Sequence, residues 1–259
     1  MASALGLALI LWASVPALPP GADVTRLKIS APQTTRTLDA GTFRGTPTRL
    51  CPSPDGTQVY VRTSQLDRWA NETIWHHLVT IRGEGATPVD GEPAWALLYW
   101  MWKSGREAPG RPGFRIDLES RWELLRTTNV PREGSIGASL ADPNETLNET
   151  VGRAALANQK ILVETLTLNG RTILKQLNQH VVPGRTFGWS PVSLGLIAYV
   201  NDKGRLVLMD EAGRTREIAG THDATLPAWS DDGGTLFFLQ RAGRNAFELR
   251  QVEVRPAQG

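Results

Sequence analysis

The chain holds a single cysteine, Cys51, and only four histidines. One cysteine excludes an internal disulfide, and its place in an apolar approach to a strand suits a small packing side chain. Acidic and basic residues nearly cancel, leaving a formal net charge of +2. The concentrated positive field that nucleic acids or anionic membranes require is therefore missing. No G-x-S-x-G elbow, Walker loop or H-E-x-x-H helix occurs. No hydrophobic run reaches the roughly 20 residues that span a bilayer. The adjacent pair His76-His77 would point to opposite faces of a strand and so cannot share one metal. His222-Asp223 reads as a hydrogen-bonded loop pair, and the carboxylates Asp90, Asp117 and Asp210 are scattered.

What is present is punctuation. Twenty-five glycines and 17 prolines are spread along 259 residues, a texture of many short strands joined by turns. The phrase Ser53-Pro54-Asp55-Gly56 returns as Trp189-Ser190-Pro191 and as Trp229-Ser230-Asp231-Asp232-Gly233, and Pro93-Ala94-Trp95 echoes Pro227-Ala228-Trp229. The anchors Ser53, Ala96, Ser190 and Ser230 are separated by 43, 94 and 40 residues, with a lost anchor expected near Asp142-Pro143. A period in the forties is that of a four-stranded propeller blade. Asp55 and Asp232 can accept from backbone N–H groups of their own turns, and Gly56 and Gly233 permit positive φ there. The repeated phrase is thus a folding requirement before it is a ligand site.

A second ruler interleaves with the first. Asn169-Gly170 between alternating apolar residues predicts a type I′ hairpin. Ala212-Gly213 marks another, with weaker turns expected around Ser120, Gly85 and Gln33. The blades are expected over 47–90, 91–130, 131–182 and 183–222, with a last one from Thr225. In Trp95–Trp102 both alternating sets of side chains are apolar, which predicts a strand covered on both faces. Its tryptophans read as packing, with an aromatic platform for a sugar or peptide as the functional alternative. The stretch from Asn129 to Asn158 is the least regular.

The turn phrases "CPSPDGTQVYV", "GWSPVSLGLIAYV" and "AWSDDGGTLFFL" resemble the repeat of TolB-type β-propellers, over nearly the whole chain from Val24 to Val254. The fold that the resemblance implies is all-β, a propeller of five or six four-stranded blades closed by pairing of the N- and C-terminal strands. Residues 1–22 read as a signal peptide or apolar leader, though with no Lys or Arg before Arg26, and 23–256 as one propeller domain without an added α/β or hydrolase domain. The resemblance further implies a periplasmic or extracellular, non-enzymatic scaffold for a protein or peptide of the cell envelope. The alternative is a carbohydrate-active lyase or hydrolase with its site at the channel mouth. No catalytic residue, metal or cofactor is predicted, nor a nucleic-acid partner or stable membrane span. In propellers the connections into the inner strands line the channel mouth. The candidate binding residues are therefore Arg49, Arg185, Thr186, His222 and Asp223.

Overall fold

The computed structural model describes residues 21–38, 43–69, 71–82, 85–124, 160–177, 184–243 and 246–256. The leader over 1–20, the expected anchor near Asp142, His180 and the irregular stretch 129–158 lie outside the described residues. Among the described residues strands dominate, with one α-helix among them. They form four separate antiparallel sheets. The first joins β3 (Thr46–Pro52), β4 (Gln58–Leu66), β5 (Glu72–Thr80) and β6 (Ala86–Val89) in chain order. The second contains β7 (Ile116–Leu124), β8 (Lys160–Leu168) and β9 (Arg171–Leu177), and the third contains β10 (Phe187–Trp189), β11 (Leu196–Val200), β12 (Leu206–Asp210) and β13 (Thr215–Glu217). The fourth is built from β14 (Ala224–Trp229), β15 (Thr235–Arg241) and β16 (Phe247–Pro256). Its outer edge is supplied by the other end of the chain, as β1 (Leu27–Ile29) and β2 (Gln33–Leu38).

Each meander follows from its turns. Ser230 Oγ donates to Asp232 Oδ1 at 2.6 Å and accepts from Thr235 N at 2.9 Å, while Gly234 N donates to Asp232 Oδ1 at 2.9 Å. Ser53, Asp55, Thr57 and Gln58 repeat this arrangement. Gly56 and Gly233 have φ of 67° and 72°, as the turn phrase requires. Asn169 and Gly170 have φ of 48° and 79°, and Leu168 pairs with Arg171. The type I′ hairpin predicted from Asn-Gly is thus formed. The turns at Gly213 and Gly85 also connect paired strands. Pro47, Pro52, Pro88 and Pro227 all sit in terminal strands of their sheets, where a missing N–H donor leaves no ladder bond unmade.

The sheets pack face to face, and strand alternation sorts the two cores on either side of each. In β11, Leu196 and Ala198 pack with Trp229, Leu236 and Phe238 of the fourth sheet, whereas Ile197 and Tyr199 pack with Leu166, Leu168 and Leu174 of the second. In β15, Leu236 and Phe238 face the third sheet, while Phe237 and Leu239 join Leu50, Val59 and Val61 of the first. All five residues of β11 are buried, as expected of a strand covered on both faces. The packing order is second, third, fourth, first.

Three expectations are corrected. The first is the largest: Trp95–Trp102 is not a strand but lies within helix α1 (Ala94–Lys103). A run that is apolar on every side fits strand and helix periodicity equally, so propensity decides. Ala, Leu and Met favour the helix, no residue of the run is β-branched, and Pro93 stands at its N-cap. Instead of two covered faces, α1 leaves Leu98 and Met101 67% and 64% exposed. Second, the expected turn around Ser120 lies inside the continuous strand β7. Third, β1 and β2 do not pair with each other across Gln33; both lie along β16, Ile29 opposite Val254 and Gln33 opposite Gln251. Among the described residues the strands form four sheets, and the expected blades 91–130 and 131–182 both contribute to one sheet of three described strands. The expected pairing of the chain's two ends is present in β1, β2 and β16.

Candidate functional site

The first strands of three sheets come together around α1. β14 lies beside β3 on one side and β10 on the other, and α1 packs against β3 and β10. Tyr99 Oη donates to Trp229 O at 2.8 Å, which ties the helix to β14 as well. Lys103, fully buried, donates from Nζ to Leu50 O at 3.2 Å and lies over the rings of Tyr99 and Trp100. A Cβ on Gly188 would stand 2.7 Å from Pro227 O and 2.9 Å from the Lys103 side chain. Glycine in β10 is what lets the helix approach this closely.

At the end where these first strands begin, the surface opens into a cleft of about 950 Å³. Its walls come from separate places in the chain: Thr46 at the start of β3, Lys175 and Gln176 on β9, Arg185 and Thr186 before β10, the turn Asn201–Gly204, Asp223–Thr225 at the start of β14, and Arg241 with Phe247 across the β15–β16 connection. In an antiparallel meander the turn between the second and third strands returns to the end where the first begins. That is why Asn201–Gly204 and Arg241 join the strand entrances.

Three of the five sequence-predicted binding residues, Arg185, Thr186 and Asp223, line this cleft. The other two are placed elsewhere. Arg49 donates from Nη1 to both carboxylate oxygens of Glu92, at 2.6 and 2.5 Å, and its guanidinium lies 5.0 Å from the centre of the Trp100 ring. His222 faces Gln240 Nε2, whose amide oxygen in turn accepts from Arg250 Nη1 at 3.0 Å. Both belong to contacts that hold elements together.

The sequence reading missed Thr46, Lys175, Lys203, Thr225 and Arg241. The turn residues Asn201-Asp202-Lys203-Gly204 carried a usable signal, since a second-to-third-strand turn must fall at the channel-mouth end. Lys175 and Arg241 carried none, because nothing local shows which end of a strand faces a neighbouring sheet.

The cleft is charged and mixed in sign: Lys175, Arg185, Lys203 and Arg241 against Asp202 and Asp223. Burial, and after it the charge of Arg241, hold the Arg185 guanidinium below its ordinary value. Away from the cleft, the two adjacent histidines behave as strand alternation dictates. His76 Nδ1 lies 2.6 Å from Tyr60 Oη, while His77 is buried against Phe43, and burial lowers its pKa. Among the described residues no group of His, Cys, Asp and Glu could hold a metal ion, and no helix is long and apolar enough to cross a membrane. Compared with known proteins, the chain matches no family model and no curated sequence.

Proposed function

We propose that the chain is a TolB-like β-propeller acting as a protein- or peptide-binding scaffold in the periplasm or outside the cell. The stacked sheets are its blades, their first strands surround the axis, and α1 takes the inner place in the blade whose described strands are β7, β8 and β9. The sequence resemblance of the turn phrases and the face-to-face packing order both support this geometry. The observation that carries the functional reading is the cleft at the entrance of the first strands. Five or more separated segments converge there on a polar, open concavity, and loops carried on a rigid sheet framework are where recognition residues concentrate.

The test is site-directed photo-crosslinking in a cell-envelope extract, with a photoreactive residue placed at Thr225 in the cleft and, as control, at Lys28 on β1. The scaffold reading expects one polypeptide joined reproducibly at Thr225 and not at Lys28. Equal, diffuse labelling from both positions would overturn it.

A further inference from the structure

Arg185 and Arg241 are both fastened to one strained segment. Leu226 N donates to Arg185 O at 2.8 Å, and Arg241 N donates to Asp223 O at 3.2 Å. Between those attachment points the backbone is unusual: Asp223 and Leu226 have φ of 44° and 56°, and the pairing of β14 with β15 shifts register between Thr225 and Ala228. Positive φ at a branched side chain such as Leu226 persists only where surrounding structure enforces it, and such strain gathers at functional sites. Here it draws the entrance to β10 and the end of β15 to the same wall of the cleft.

Both arginines line the cleft, and the charge of Arg241 adds to burial in lowering the Arg185 pKa. Among the described residues neither forms an ion pair; the Arg241 guanidinium lies 6.0 Å from the centre of the Phe247 ring. Arginine presents a planar fork of donors that matches a carboxylate, so an unneutralised pair facing a cavity is prepared for that group. Asp202 and Asp223 line the same cleft and would repel a compact polyanion such as phosphate. A peptide meets both demands, because its carboxylates suit the arginines and its backbone N–H groups suit the aspartates.

We propose that Arg185 and Arg241, with Lys175 and Lys203 beside them in the cleft, bind the carboxylates of an acidic peptide segment. This rests on the scaffold reading and names the chemistry of its partner.

The experiment is an array of random immobilised hexapeptides containing Glu and Asp, each paired with its Gln and Asn counterpart, probed with the full chain. The expected result is retention on acidic members over their amide counterparts. Retention should fall by about tenfold or more in Arg185→Gln and separately in Arg241→Gln, since each removes a charge-assisted contact. Arg26→Gln, an equal charge change outside the cleft, should leave it unaltered, and circular dichroism should show all three variants folded. Equal retention on acidic and amide members overturns the carboxylate proposal and spares the scaffold reading. No retention on any peptide overturns the acidic-peptide proposal, while the scaffold reading is overturned only by the crosslinking at Thr225 and Lys28. Release of bound peptide by millimolar inorganic phosphate as readily as by free acidic peptide would mark a general anion site and overturn the peptide assignment.

Discussion

Lys103 Nζ donates to the carbonyl oxygen of Leu50 across 3.2 Å, in a place where no part of the lysine reaches solvent. The bond joins α1 to β3. Burial, slightly offset by the nearby Cys51, lowers the Lys103 pKa from 10.5 to about 7. Between those values the unfolded chain carries a proton that the folded chain has released, so stability rises with pH across the window. Cys51 works in the opposite direction, because burial pushes its thiol from 9.0 up to about 12, and stability is lost as pH climbs above 9. The interval from pH 7 to 9 therefore isolates the lysine.

Urea unfolding at pH 7 and pH 9 should show the protein about 2 kcal/mol more stable at the higher pH, an order-of-magnitude figure from linkage. Lys103→Met should flatten that rise and stabilise the protein at pH 7. A wild-type curve that is level from 7 to 9 would show that the lysine is not buried at the helix end.

Gly188 reports on the same junction from β10. An added methyl would press on the Pro227 carbonyl, which is backbone and cannot swing aside, and on the Lys103 side chain. Gly188→Ala should cost about 1–3 kcal/mol by overpacking, read as a lowered thermal midpoint. Gly91→Ala, at a glycine with open space around its Cβ position, is the matched control and should change little.

The turn phrase offers a graded comparison. Ser190 is buried, and its Oγ accepts from Leu196 N at 2.7 Å. Ser230 makes the corresponding bond to Thr235 N at 2.9 Å in a more open turn. Removing a buried acceptor strands its donor, whereas water can replace an accessible one. Ser190→Ala should therefore cost about 1–3 kcal/mol and Ser230→Ala about 1 kcal/mol or less in denaturant unfolding. A reversed order would count against the turn serines acting as local acceptors.

Much of the local architecture was legible from residues in short range of one another. Ser53, Asp55 and Gly56 define their own turn, and Asn169-Gly170 defines its hairpin, because positive φ and side-chain-to-backbone bonds are decided within a few residues. The candidate site was legible in part. Arg185, Thr186 and Asp223 were found because strand entrances share one end of a meander, while Lys175 and Arg241, on separate sheets, came to line the same cleft only through the packing of the sheets.

By itself the sequence determined the strand-rich class, the pairing of the chain's two ends and the turn phrases of three sheets, although each phrase expected to start a meander lies between its first and second strands. The helix at Ala94–Lys103 lay within reach of propensity, although a run that is apolar all round has no preferred period. Tertiary structure alone decided two things. It committed Arg49 to Glu92 and left Arg185 and Arg241 lining one cleft, a difference that depends on which carboxylates packing brings near. And it placed β1 and β2 end to end along β16 rather than against each other, because one long strand offered both of them a single free edge.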